Sequence, residues 1–151
     1  MKALLQRVTQ ASVTVSGEKV GAIHSGLVVL VGVAHDDSIK DVQYLTGKIT
    51  GLRIFSDADG KFNLSVADVN GEILLISQFT LLADSRKGRR PSFIDAAPSA
   101  QAEELFNQLI NAIRATGIKV ETGRFQTHML VEIHNDGPVT ILLDSQDKVR
   151  D

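Results

Sequence analysis

Gly26-Leu27-Val28-Val29-Leu30-Val31-Gly32-Val33 is the stretch whose reading decides the fold. Successive side chains of a strand point to opposite faces, and here apolar residues fill both parities, so the run predicts a strand covered on both sides and central to its sheet. Upstream, Val13 and Val15 alternate with Ser12, Thr14 and Ser16, and Ser16-Gly17 offers a turn before Val20 to Ile23, which predicts a hairpin. Downstream, Ile39, Val42, Leu45, Ile49 and Leu52 recur at helical spacing, and Ser38 with Asp41 has the form of a capping box. Gly47 and Gly51 weaken that helix by about 1 kcal/mol each relative to Ala, so packing must hold it.

Further along, Asp57-Ala58-Asp59-Gly60 is a run of turn formers after Arg53-Ile54-Phe55, and the pattern then predicts a long strand over 72–82. A polar loop over 83–97 leads to a second helix over 99–116, with Ala102, Leu105, Phe106, Leu109, Ile110 and Ile113 on one stripe and Gly117 as its stop. Strands are expected over 119–122, 127–134 and 139–143. Asn135-Asp136-Gly137-Pro138 reads as the hairpin turn between the last two. Residues 145–151 read as a flexible, solvated tail. The expected class is α/β: a single domain over 1–151 of packed β-sheets with two main helices on one side.

The chain has 151 residues, 43% hydrophobic and 23% charged, with 16 Lys plus Arg against 18 Asp plus Glu for a net charge of −2. This is the composition of one globular domain and not of a fibrous or multidomain chain. The longest apolar run, 27–34, falls far short of the roughly 20 residues that span a bilayer, and Gln6 and Arg7 interrupt any signal-peptide core, so no membrane partner is expected. With no cysteine, disulfides, thiolate nucleophiles and zinc ribbons are excluded together, and the expected setting is cytoplasmic. Near-neutral charge argues against a large non-specific nucleic-acid footprint, and no DNA partner is expected, although a small local footprint is compatible with it.

Three segments have the residue types for chemistry, each with two readings. The run over 72–82 is apolar on both parities and then presents Ser77, Gln78 and Thr80, which either leave the core or line a pocket. Gly137-Pro138 is either a plain turn or a peptide that another molecule can approach closely, since Gly has no side chain and Pro permits a cis bond. Arg86, Lys87, Arg89 and Arg90 are either a solvated face or a lip for phosphates, with Phe93 anchoring the far end of the loop. Other templates fail. His24, His35, His128 and His134 show no ligand spacing; His128 and His134, on one expected strand, would stand roughly 20 Å apart. No glycine-rich phosphate loop or Gly-x-Ser-x-Gly elbow occurs, so neither a metal nor another cofactor is expected. A side-chain nucleophile would be Thr80 or Ser77, with no evident base beside it.

Taken together, Ser77-Gln78-Phe79-Thr80, Arg90-Pro91-Ser92-Phe93 and Asn135-Asp136-Gly137-Pro138-Val139-Thr140, preceded by Arg7-Val8 and Ala11-Ser12-Val13, resemble the D-aminoacyl-tRNA deacylase family, once called D-tyrosyl-tRNA deacylase. The resemblance covers essentially the whole chain. It implies a three-layer β/β/α fold with partly barrel-like mixed sheets, and a homodimer whose two active sites each use the Gly-Pro motif of the partner. It implies that Ser77, Gln78, Phe79 and Thr80 line the pocket for the aminoacyl acceptor end of tRNA. Gly137 and Pro138, joined by a cis bond, would exclude L-aminoacyl groups by lack of room, with Arg7 orienting them and Asn135 beside them. Phe125 and Met129 match the pocket wall, whereas Gln126, Thr127 and His128 replace small residues and an acid of the family pattern. Arg86, Lys87, Arg89 and Arg90 would meet acceptor-stem phosphates. Two mechanisms stand open: Thr80 as nucleophile, or water activated by the terminal adenosine's 2′-hydroxyl. The competing functions are a non-catalytic tRNA- or synthetase-binding module of editing type and a simple-ester hydrolase using Thr80.

Overall fold

The computed structural model describes residues 1–147. In chain order the elements are β1 (Lys2–Val15), β2 (Glu18–Ile23), β3 (Gly26–Gly32), α1 (Ile39–Gly51), β4 (Phe55–Ser56), β5 (Phe62–Leu64), β6 (Glu72–Ser77), α2 (Ser99–Ala115), β7 (Val120–Thr122) and β8 (Leu130–Asp144). Short 3-10 turns follow β6 at Phe79–Leu82 and β8 at Ser145–Asp147. One six-stranded mixed sheet runs β2-β1-β3-β6-β7 with β8 added on β1, and β4 and β5 form a separate ribbon.

β3 occupies the middle because its two faces serve two cores. Leu27, Val29 and Val31 join Ile73 and Leu75 of β6 beneath the helices, where Leu45, Ile49, Leu109 and Ile113 meet them. Val28 joins Val8, Val13, Leu74 and Ile76 on the opposite side, inside the curl of the sheet. A strand apolar on both parities is therefore buried on both, antiparallel to β1 and parallel to β6. The result is the expected partly barrel-like mixed β structure, here one sheet curled on itself, with the two helices on one side.

Both helices form where the spacing predicts. Ser38 caps α1, its hydroxyl accepting from the Lys40 N–H (3.3 Å) while the Asp41 carboxylate accepts from the Ser38 N–H (2.8 Å). α2 begins after Pro98, and Gly117 takes the left-handed conformation (φ 92°) that ends it. The first hairpin turns at Ser16 and Gly17, both with positive φ, as tight two-residue turns require.

Four expectations are corrected. The strand over 72–82 ends at Ser77: Gly32 packs so closely that an added Cβ would lie 2.4 Å from Leu82 Cδ2 and 3.0 Å from the Gln78 carbonyl, and the chain coils instead of extending. Asn135-Asp136-Gly137-Pro138 is not a hairpin turn. β8 passes through it as one strand, because β1 pairs with the residues on both sides of it. Between the pairs Gln6–Thr140 and Val8–Asn135, β1 advances two residues and β8 five, so the motif is a bulge with 5 − 2 = 3 extra residues. The strand expected over 127–134 begins at Leu130, which leaves His128 outside it. The solvated tail does not start at 145 either: Ser145 is fully buried, its N–H on the Met1 carbonyl (2.9 Å) and its hydroxyl accepting from the Met1 amino group (2.8 Å). Residues 148–151 lie outside the described residues.

The contact at Gly32 makes a fold-level prediction. Gly32→Ala should destabilise by about 1–3 kcal/mol through overpacking, because the Gln78 backbone must move with Leu82. A denaturant melt with an unchanged midpoint would show that the 3-10 turn yields freely.

Candidate active site

The site begins where β6 leaves the sheet. Its parallel ladder with β3 runs to Val31–Ser77, and the Gln78 N–H makes one last bond to the Val31 carbonyl (2.7 Å). The chain then coils, with Leu81 N–H on Gln78 O (3.2 Å) and Ala83 N–H on Thr80 O (3.1 Å). A 3-10 turn uses donors only from its third residue onward, so the N–H groups of Phe79 and Thr80 at its start have no carbonyl behind them within it. Ser77 and Gln78 are half-buried, while Phe79 and Thr80 are exposed. The Thr80 hydroxyl accepts from the Gln78 side-chain amide, and among the described residues no titratable side chain hydrogen-bonds to it.

Beside this turn lies a cleft of about 680 Å³. Val33, Ile76 and Ala102 give it an apolar floor, Ser77, Gln78 and Phe79 one wall, and Phe125 to Met129 the other. Phe93 closes one end, its ring edge-on to Phe79 at 5.0 Å between centroids, so the expected anchor rests on a residue of the site itself. Phe125 packs its ring 6.4 Å from that of Phe106 in α2. His128 borders the cleft from a loop and not from a strand. A more open cleft of about 560 Å³ lies across the turn at the root of the basic loop and includes none of residues 77–80.

Gly137 and Pro138 form a second, separate constellation. Their peptide bond is cis, and both residues are exposed. Arg7 holds the bulge from below: its Nε donates to the Asp136 carbonyl (3.0 Å) and its Nη1 to the Ile54 carbonyl (2.9 Å), and its guanidinium stands 5.4 Å from the Phe62 ring centroid. Asn135 spans the bulge, its Oδ1 accepting from the Val139 N–H (3.0 Å) and its Nδ2 donating to Thr140 Oγ1 (2.9 Å). Gly137 has φ 131°, and a Cβ there would lie 2.9 Å from Val139 Cγ2 and 3.0 Å from Arg7 Nη2. Only glycine fits. Within one chain the structure gathers Ser77, Gln78, Phe79, Phe125 and Met129 around the cleft, and Arg7, Asn135, Gly137 and Pro138 around the bulge; it does not place the two sets on one cleft.

The basic loop is a third feature. Reciprocal bonds between Asp84 and Ser92 (2.8 and 2.9 Å) close it, and Gly88 turns its tip at φ 70°. Arg86 is bidentate on Asp84 (2.9 and 2.7 Å), and that guanidinium holds the Asp84 carboxyl down at about 2. Asp84 therefore stays ionised, and Arg86 neutralised, at any pH above that range. Lys87, Arg89 and Arg90 have no acidic partner among the described residues, so the unspent charge is three of the four cations.

Sequence reading missed three participants. The Ile54 carbonyl is a main-chain group with no signature; Phe62 reads as an ordinary strand residue; and Ser99, which accepts from the Gln126 amide across the cleft wall (2.6 Å), is concealed by its place at a helix start.

Comparison with known proteins identifies the family. The family model described as D-Tyr-tRNA(Tyr) deacylase matches residues 4–144. A D-aminoacyl-tRNA deacylase of Dehalococcoides mccartyi is 58% identical over 99% of this chain and 97% of its own. One of Fervidobacterium nodosum is 58% identical over 97% and 98%. Among solved structures, a c-Myc DNA unwinding element binding protein superposes with a TM-score of 0.90 at 44% identity, over 95% of this chain and 98% of that one. A structure described as a probable eukaryotic D-amino acid tRNA deacylase superposes with a TM-score of 0.82 at 16% identity, over 94% and 97%, which shows the shared fold. From strand end to bulge, then, this chain belongs to the D-Tyr-tRNA(Tyr) deacylase family and is a hydrolase.

Proposed function

We propose that the chain hydrolyses the ester of D-aminoacyl-tRNA, and of glycyl-tRNA mischarged on tRNA-Ala, releasing the free amino acid and the tRNA. The observation that carries this reading is the 3-10 turn at Phe79–Leu82, which opens two unspent N–H donors beside a cleft and holds no base against Thr80. Water attacks the ester carbonyl, the oxyanion that develops meets the N–H groups of Phe79 and Thr80, and the tetrahedral intermediate expels the 3′-oxygen of the terminal adenosine, which takes up the proton the water gives up. The neighbouring 2′-hydroxyl activates the water, so the protein contributes orientation and donors in place of a side-chain base. Thr80 is scaffold in this account, its hydroxyl engaged by Gln78.

The chiral filter needs a second copy of the chain. Gly137 and Pro138 stand exposed and away from the cleft of their own chain, which supports a homodimer in which each bulge enters the partner's cleft. Among the described residues β8 pairs only with β1 and exposes Leu130 and Leu142, an edge and an apolar surface suited to burial between copies. There the bulge would leave space for hydrogen where an L-aminoacyl group carries its side chain, so glycine passes the filter and L-residues do not. Lys87, Arg89 and Arg90, with Arg86 beside them, would track phosphates of the acceptor stem. Among the described residues no helix is long and apolar enough to cross a membrane, and the proposed setting is the cytoplasm, where aminoacyl-tRNA is used.

Matched D-tyrosyl-tRNA and L-tyrosyl-tRNA test the reading: only the D ester should be lost. Thr80→Ala should stay within about tenfold of the parent, whereas a terminal 2′-deoxyadenosine should slow turnover by about 100-fold or more. The reverse pattern would make Thr80 the nucleophile, and survival of both esters would favour the binding-module reading. For the loop, replacing Lys87, Arg89 and Arg90 together by Ala should flatten the dependence of log affinity on log salt by about 2 to 3. Duplex DNA should not compete. An unchanged slope would remove the loop from the tRNA interface.

A further inference from the structure

Part of the cleft lining, residues 125–129, is a loop; Arg124 at its start pairs with Glu18 (3.8 Å) and Phe125 packs on Phe106, and one side-chain hydrogen bond ties it to α2 beside the cleft. Gln126 Nε2 donates to Ser99 Oγ at 2.6 Å, joining the connection between β7 and β8 to the first residue of α2. Both residues line the cleft. Gln126 takes φ 59°, a left-handed conformation that an L side chain adopts only when its surroundings repay it. A further side-chain hydrogen bond in this loop, Thr127 Oγ1 to the Arg124 carbonyl (2.8 Å), is internal to it and fixes no distance across the cleft. Ser99 is free for this role because the helix does not use its hydroxyl: the cap position is Pro98, with no side-chain capping bond.

We propose that Gln126 and Ser99 form a latch that sets the width of the aminoacyl cleft, making Gln126 a specificity-determining residue for side-chain size. The proposal deepens the deacylase reading and rests on it. With the latch closed, the loop that brings Phe125 and Met129 to the cleft is held to α2, and Ile76 and Ala102 line the same cleft, so a bulky D side chain must fit the space these residues leave. With it open, the wall moves outward and the penalty on bulk falls. Nothing in this argument involves the reacting atoms, so the effect belongs in KM and in the ratio between substrates.

The test uses one tRNA acylated in turn with D-alanine and with D-tyrosine, and the full-length chain. Ser99→Ala and Gln126→Ala should each raise the D-tyrosyl to D-alanyl ratio of kcat/KM by about three- to tenfold through KM, the size range of one buried contact in a hydrophobic pocket. The double variant should go no further than the larger single, since both break one bond. Ser99→Thr, which keeps the hydroxyl, should restore the parent ratio, an outcome that a general loss of packing would not give. A ratio unchanged in all variants of an active enzyme would overturn the latch and leave the deacylase reading intact, as would a double variant equal to the product of the singles. A parent protein inactive on both esters would overturn the deacylase reading and the latch with it.

Discussion

β1 is the constraint on which everything else depends, because it pairs with three strands at once. Its first half lies between β3 and β8, and its second half between β2 and β8. Ala3 and Leu5 face the core beneath the helices, whereas Val8, Ala11 and Val13 face the core inside the curl. A strict period of two cannot place 5 on one face and 11 on the other. The extra residue between Val8 and Ala11 makes the change possible. β8 crosses from one core to the other in step: Val131 and Ile133 pack on the inner core, Val139 and Ile141 on the helix side, and the crossing is the bulge that carries Gly137 and Pro138. The exposed Gly-Pro peptide is thus a product of how two cores share one pair of strands. Arg7, between the two faces of β1, is placed to hold it.

The cleft follows from a constraint of the same kind. β3 and β6 run parallel until Gly32, where, as at Gly26 at the other end of β3, the neighbouring chain comes too near for a side chain. Beyond it β6 has no partner to extend along and coils, which turns the polar residues outward and leaves two main-chain donors unspent. Catalytic groups of this type cost the protein no buried charge. They need no shifted side-chain pKa, and none of residues 77–80 can titrate in the physiological range. In the proposed mechanism the backbone positions the chemistry, and the substrate's own hydroxyl would supply what the protein lacks.

How much of this is legible in the sequence depends on whether the cause is local. The double-faced strand at 26–32 and the capping box at Ser38 are local patterns, and the structure has both. Leu81 and Leu82 continue the apolar alternation of β6, but the cause of the coil is Gly32, forty-five residues before Ser77, and no pattern within 72–82 contains it. Asn-Asp-Gly has a strong local turn signature, yet pairing with β1 on both sides overrides it. Ser145 looks like the start of a polar tail, but it is buried against Met1, a contact between opposite ends of the described chain. Of the candidate site, most side chains are readable, but Phe62 and Ser99, and the carbonyls of Ile54 and Asp136 that fix Arg7, are not. The division of the site into two constellations follows from topology alone.

The central claim is that one active site is built from the cleft of one copy and the bulge of another, and subunit complementation tests it most directly. Ala102→Trp fills the cleft, and Gly137→Ala places a Cβ where Arg7 and Val139 already sit. Each variant alone should fail to cleave D-tyrosyl-tRNA selectively. When the two are unfolded, mixed and refolded together, half of the dimers contain one sound cleft facing one sound bulge, and roughly a quarter of the parent's D-selective activity should return. Mixtures no more active than the separate variants would contradict a site shared between copies.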